Sequence, residues 1–302
     1  MLCIIMVLDI DSVEHYMGGM YMAQFSIGVI LDSFRKPFPE AMDIAQKLGV
    51  QGLQVYATKG EMAPENLVGQ KRKDFLKAVK DHGLVISALC GDLGHGFGKP
   101  ELNPGLIERS KRILDMAVEL ETNVVTTHIG VVPDSNEHPR YKIMQDACGE
   151  LAAYADTLNA HFAIETGPEI ATVLRGFLDG LHSTGVAVNL DPANFVMVTG
   201  DDPVAAVHTL APYIVHTHAK DGVNLRRVPS EVIYGLTNGD PAMLETPSFE
   251  ELPLGKGHVP YDQYLQALRE IGYKGFLTIE REVGNDPTAD IATAVAFLKE
   301  RI

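Results

Sequence analysis

His216 and His218 stand two positions apart in "VHTHAKD" (215–221), followed by Lys220 and Asp221. In an extended strand, side chains at i and i+2 share a face, so both imidazoles look into whatever the strand encloses, as core residues or as metal ligands. Three carboxylates occupy comparable places, each ending a short apolar run: Glu165 in "AIETGPE", Asp191 in "NLDPANF" and Glu280 in "TIERE". Brought to one point, three unpaired carboxylates oppose one another's ionisation, and a divalent cation is the usual compensation. A donor set of oxygen and imidazole nitrogen without sulfur suits one Mn2+, Mg2+, Co2+ or Zn2+ ion and does not choose among them. The alternative is a buried ion-pair network in which Arg281, Lys220 or Arg226 neutralises the acids.

Such convergence requires a frame that aims successive strand ends at one place. Apolar, β-branched runs recur at 26–31, 52–57, 84–90, 123–129, 161–165, 186–191, 213–219 and 276–280. They are near-continuous in apolar residues rather than alternating, as strands of a parallel sheet covered on both faces are. Helical patterns lie between them, such as "PFPEAMDIAQKLG" with Gly49 past its end, and "PGLIERSKRILDMAVELE" with Ile113, Leu114, Ala117 and Leu120 on one side. Eight strand–helix units with no linker between them predict a single α/β domain, a (β/α)8 TIM barrel, over residues 23–302. An open doubly wound sheet is the runner-up, disfavoured because no G-x-G-x-x-G turn follows "SIGVIL". In a barrel, the four residues sit at the C-terminal ends of strands five to eight. The long Pro- and Gly-rich interval 222–260 is expected to form a lid or a wall of the pocket. Residues 1–22 begin with an apolar run that no Lys or Arg precedes and that Asp9, Asp11 and Glu14 cut short; they read as an N-terminal extension outside the fold.

Composition narrows the partners. The formal net charge of −15 repels nucleic-acid backbones and anionic membranes. Cys3, Cys90 and Cys148 are odd in number and widely scattered, which suggests neither a disulfide framework nor a zinc ribbon and fits a reducing, cytoplasmic setting. Nothing in the sequence sets a homo-oligomeric state.

The order Glu165, Asp191, His218, Glu280 in these strand contexts resembles the xylose-isomerase-like superfamily of sugar isomerases and epimerases, which also contains dehydratases and endonuclease IV. The resemblance covers about residues 26–300. Its most telling pieces are "HTHAKD", close to the family's H-x-H-x-K-D, the "DPAN" after strand six, and "LPLGKGHVPYDQYLQALREIGYKGFLTIERE". It implies that Glu165, Asp191, His218 and Glu280 bind one divalent metal ion. It also implies that Glu165 and Glu280 act as base and acid, one removing a proton beside a ketose carbonyl and the other returning it. His218 aligns with the family's metal histidine, whereas His216, one pleat deeper, either orients the ligands or fills the barrel. His128 in "TTHIG" ends strand four, where family members often place a site-lining histidine. Asn194 stands where many epimerases and endonuclease IV have histidine, a departure that puts direct transfer of their substrate contacts in doubt. Further substrate-binding candidates are Glu169, Lys220 and the loop pair Arg226 and Arg227, the last two suited to a phosphate or carboxylate. The glycines of "CGDLGHGFGK" (90–99), with His95 among them, lack phosphate-loop spacing and suit a loop that closes over a sugar.

The leading expectation is a metal-dependent keto-sugar isomerase or epimerase working through an enediolate. The runner-up uses the same site for a dehydratase or lyase reaction, including cleavage of keto-glycosides; Asn194 and the absence of Trp keep it open. Cleavage of abasic DNA is disfavoured by Asn194 and the net charge. A non-enzymatic sugar-binding barrel is disfavoured by the complete set of four ligands.

Overall fold

Short β-branched runs separated by amphipathic stretches fold here as the parallel-sheet reading requires. The computed structural model describes residues 25–237, 243 and 245–302. Its strands are β1 (Ser26–Ile30), β2 (Gly52–Tyr56), β3 (Val85–Cys90), β4 (Val124–Thr127), β5 (His161–Glu165), β6 (Val186–Leu190), β7 (Ile214–Ala219), β8 (Asp221–Asn224), β9 (Phe249–Leu252) and β10 (Phe276–Ile279). Eight of them close into a parallel barrel in the order β1-β10-β7-β6-β5-β4-β3-β2. Pairing of Ser26 with Phe276 and of Val29 with Ile279 seals it, which excludes the open sheet. A helix follows each barrel strand: α1 (Phe38–Leu48), α2 (Gln70–Asp81), α3 (Asn103–Glu119), α4 (Pro139–Leu158), α5 (Ala171–Asp179), α6 (Pro203–Leu210), α7 (Tyr261–Glu270) and α8 (Pro287–Lys299).

The main core joins strand residues such as Val55, Leu89, Ile164 and Val188 to helix residues such as Ile113, Leu114, Leu151, Leu174 and Phe177. Ala88, Val124, Ala163 and Ala187 form a separate cluster, and their alternation with the first set along each strand places them on the barrel's inner face. Toward the C-terminal end that inner face turns polar, with Gln54, Thr126, Asn189, His216 and Thr278 all buried.

The sequence pattern ran strands six and eight through Asp191 and Glu280, but the ladders stop one residue short, at Leu190 and Ile279. Asp191 leaves the ladder because it caps the turn Pro192–Asn194: its Oδ1 accepts the N–H groups of Ala193 and Asn194 at 2.8 and 3.0 Å. The interval 222–260 holds more order than a lid. β8 and β9 pair antiparallel, Asp221 opposite Leu252, and Ser230–Ile233 forms a helical turn. The proposed extension, residues 1–22, lies outside the described residues. Among the described residues, no helix is long and apolar enough to cross a membrane.

Candidate metal centre and active site

A barrel delivers side chains to the C-terminal ends of its strands. Glu165 ends β5, His218 lies in β7, and Asp191 and Glu280 directly follow β6 and β10. One donor atom from each of the four lies within 4.8 Å of all the others, and all four residues are buried. His218 Nδ1 is 2.9 Å from Glu280 Oε2, 3.5 Å from Asp191 Oδ2 and 3.6 Å from Glu165 Oε1. Three of these atoms, His218 Nδ1, Asp191 Oδ2 and Glu280 Oε2, are buried without a hydrogen-bond partner. Buried polar atoms are nearly always satisfied, so three facing one point fit the coordination of a cation, and the oxygen–nitrogen donors match a divalent one.

The electrostatics agree. Burial disfavours the His218 cation, but the carboxylates of Glu280 and Glu165 outweigh it and raise the imidazole well above its usual range. Burial also opposes charge on Glu280; Lys220, at 3.2 Å, and His218 reverse this and hold the carboxyl well below its usual range. Glu165 is lowered against its burial by His128 and His218, whereas at Asp191 burial prevails and raises the carboxyl. Without metal, a proton on His218 supplies the positive charge that a bound cation would replace.

The buried polar layer beneath orients these donors. Thr126 donates its hydroxyl to the Leu89 carbonyl at 3.5 Å and accepts Gln54 Nε2 at 3.1 Å, which turns Gln54 Oε1 toward His218 Nε2 at 3.0 Å. An acceptor there requires a proton on Nε2 and leaves Nδ1 facing the cluster. Asn189 Nδ2 lies 3.2 Å from the same nitrogen, but it donates to Glu165 Oε2 at 3.1 Å. His216 supports that second arm. Its Nδ1 donates to Asn189 Oδ1 at 2.9 Å and its Nε2 accepts the Thr278 hydroxyl at 2.9 Å. Burial and the neighbouring His218 lower its basicity, so it stays neutral. Of the two sequence readings of His216, the hydrogen bonds therefore favour orientation over mere filling. Gln54, Thr126, Asn189 and Thr278 were not singled out by sequence. The available signal was a polar residue between two apolar ones, as in "LQV" and "VNL".

The remaining candidates divide by location. A cavity of about 260 Å3 above the cluster is lined by Tyr56, Asp92, His128, Asn194, Lys220 and Tyr234, among others. His128 Nε2 is 3.4 Å from Glu165 Oε1; burial opposes its charge, but that carboxylate pushes it up to about 9. Asn194 donates Nδ2 to Glu165 Oε1 at 3.3 Å and to the Thr166 carbonyl at 3.1 Å. It lies against Gly167, whose φ of +139° and lack of Cβ the contact requires, since a Cβ there would be 2.4 Å from Asn194 Cβ. Lys220 bonds Glu282 at 2.7 Å as well as pairing with Glu280. The ion-pair alternative is thus realised only at Lys220. Arg281 pairs with Glu251 at 2.6 Å and Asp290 at 2.9 Å. Arg226 is half-buried, donates to the carbonyls of Met243 and Thr246, and does not line the cavity. Arg227, bonded to the Thr199 carbonyl, and Glu169 line a second, adjoining cavity instead. The wall expected from 222–260 is present: Ile233, Tyr234, Phe249 and Glu251 border the cavity over the cluster. The 90–99 loop is pinned by Phe97, which bonds the Ile129 carbonyl at 2.8 Å and packs edge-on against Phe162; His95 is exposed.

This chain belongs to the xylose isomerase-like TIM barrel family, whose model matches residues 42–301. Among solved structures, it resembles a xylose isomerase domain protein from Planctomyces limnophilus, with a TM-score of 0.73 and 24% identity over 92% of this chain and 95% of that one. A probable 3-DHS dehydratase from Bacillus anthracis matches with a TM-score of 0.68 and 19% identity over 92% of this chain and all, 100%, of that one. A 3-keto-D-glucoside 4-epimerase from E. coli matches with a TM-score of 0.68 and 15% identity over 91% and 99%. At these identities, the likeness to the three structures is one of fold.

Proposed function

We propose that the chain is a divalent-metal-dependent isomerase or epimerase of a keto-sugar, acting by proton abstraction next to the carbonyl. The observation that carries the reading is the convergence of Glu165, Asp191, His218 and Glu280 on one point, with buried donor atoms of Asp191, His218 and Glu280 that make no hydrogen bond, the Glu280 oxygen also lying 3.2 Å from the Lys220 ammonium. These four residues would hold the ion, which when bound supplies positive charge to stabilise the enediolate oxygens of the substrate. One of Glu165 and Glu280 takes the C–H proton as a carboxylate; the other, having first picked up a proton from solvent, delivers that proton to the enediolate carbon, and the first then loses its proton to solvent. Both carboxyl groups are held in place, Glu165 by Asn189, Asn194 and His128 and Glu280 by Lys220. They enter from β5 and β10, with β6 and β7 between them around the barrel, as delivery of protons to two sides of a carbon requires. Family membership and the epimerase and dehydratase folds above support sugar chemistry without selecting the reaction.

The test has two stages. Elemental analysis of the purified protein is expected to find about one divalent ion per chain, lost or weakened in His218→Ala and Glu280→Gln. The loaded wild type is then expected to incorporate solvent deuterium into a ketose C–H, and Glu280→Gln to lose at least about a hundredfold of that rate. Metal without exchange across a broad ketose panel sinks the isomerase reading; net loss of water or of an aglycone assigns the lyase reaction instead.

A further inference from the structure

The second cavity measures about 710 Å3 against about 260 Å3 for the catalytic one, and Val198 borders both. Its walls come from the loops after β4, β5, β6 and β7, all on the catalytic face of the barrel. One helical turn serves both spaces: Ser230 and Glu231 line the larger, Ile233 the smaller. The smaller volume falls below the range of about 300–1,000 Å3 typical of drug-sized ligands and suits a single sugar ring.

The larger cavity mixes apolar surface, such as Val132, Pro168 and Val198, with the hydroxyls of Ser135 and Ser230. Glu169 is the polar group built into it. The residue is only 5% exposed; its Oε2 accepts the Val132 N–H at 3.2 Å, and Oε1 has no hydrogen-bond partner among the described residues. Burial pushes this carboxyl up to about 8, against the opposing Val132 N–H, so near neutral pH it is largely an uncharged acid, able to donate as well as accept. Anions are poorly served. Arg227 is the one guanidinium or ammonium among the described lining residues; it is bonded to the Thr199 carbonyl, and Asp134 and Glu231 stand nearby. In the catalytic cavity, Lys220 and His128 are already paired with carboxylates.

We propose that the substrate spans both cavities: its reacting ketose unit sits over the metal cluster, and an uncharged, hydroxyl-bearing substituent, such as a second sugar ring, lies in the larger cavity with a hydroxyl on Glu169. The preferred substrate is then a neutral keto-sugar whose carbonyl is free and which carries a glycosyl group on a remote hydroxyl, rather than an unsubstituted or phosphorylated one. This rests on the keto-sugar reading above and names its substrate class.

Unsubstituted ketohexoses are compared with ketohexoses glycosylated on a hydroxyl remote from the carbonyl, D-fructose with 6-O-glucosyl-D-fructose first, in the manganese-loaded protein. The readout is the ratio of kcat/KM for deuterium exchange, glycoside over free ketose. The wild type is expected to give a ratio above about ten. Ile170→Trp, which fills the larger cavity from a 44% exposed position outside the catalytic one, is expected to bring the ratio toward one. Glu169→Leu is expected to lower it about tenfold, chiefly through KM, and Glu169→Gln, which still donates, to recover most of it. Unchanged metal content and circular dichroism show that each variant is folded. A wild-type ratio of one or less, or a ratio that none of the variants moves, overturns the subsite. Absence of exchange with every substrate overturns the catalytic reading instead, and calorimetry with the same pairs then decides the subsite: tighter binding of the glycoside, lost in Ile170→Trp, upholds it, and equal binding rejects it.

Discussion

An imidazole ligates a metal through a nitrogen that carries no proton, and at His218 the choice of nitrogen is made by Gln54. Replacing Gln54 by Leu removes the acceptor at Nε2 and frees the ring to take either tautomer. Metal affinity is expected to fall about 10–100-fold in titration calorimetry, with the fold intact, the usual effect of removing a partner of a ligating histidine. The raised basicity of His218 has its own consequence. Metal must displace a proton that Glu280 and Glu165 hold on the ring. Calorimetry in buffers of differing ionisation enthalpy is therefore expected to show about one proton released per ion at pH 7, with affinity weakening as pH falls; binding without proton release would contradict this. Glu169 titrates in the opposite context. Its folded value, near 8 against the ordinary 4.5, means the folded state binds more protons between these limits, so stability falls as pH rises through that window. The slope is at most about 1.4 kcal/mol per pH unit. Urea unfolding at pH 5, 6.5 and 8 is expected to show this decline in the wild type and less of it in Glu169→Gln.

At the scale of elements, the motif "HTHAKD" joins the candidate metal site to the wall of the pocket. β7 carries His218, and three residues later the Asp221 carboxylate gathers the next crossover. Its two oxygens accept the N–H groups of Gly222, Gly255 and Gly257 at 2.9 Å and of Val259 at 3.1 Å. Gly257 lies so close that a Cβ would be 2.2 Å from Asp221 Oδ1, which explains glycine in "LGKGHV". Lys220 is gripped at its carbonyl by the Tyr261 hydroxyl at 2.8 Å while its ammonium reaches Glu280. Asp221→Ala is expected to cost roughly 3 kcal/mol in chemical denaturation, since four N–H groups, those of Gly222 and Val259 buried, lose their acceptor at once. Hydrogen exchange is expected to rise over 253–259, and a uniform rise elsewhere would deny this local role. The resemblance marked the motif, but no role for Asp221 was legible, because its partners lie up to 38 residues away in the chain.

For the whole molecule, four candidate ligands from four strand ends make the proposed metal binding a property of the closed barrel. The unfolded chain cannot assemble the site, so occupancy adds to stability by mass action, about 2.7 kcal/mol at a hundred times the dissociation constant. A rise in Tm of roughly 5 °C or more with saturating Mn2+ is expected, absent in His218→Ala. No such rise in the wild type would leave the cluster a structural network.

Period and punctuation in the sequence determined the architecture. Eight apolar runs with helices between them have one economical way to bury both faces of a parallel sheet, and the ends of those runs named Glu165, Asp191, His218 and Glu280. Strand ends are legible because they are local. What lies between strands is not, and the tertiary structure decided that Gln54 faces His218, that His216 supports Asn189, and that Glu169 and Arg227 belong to a neighbouring cavity while Arg226 bonds the carbonyls of Met243 and Thr246. Register and loop course set those outcomes. Barrel closure converts residues 164 apart, such as Gln54 and His218, into hydrogen-bonding neighbours, and no spacing rule along one chain encodes which inward side chains will meet.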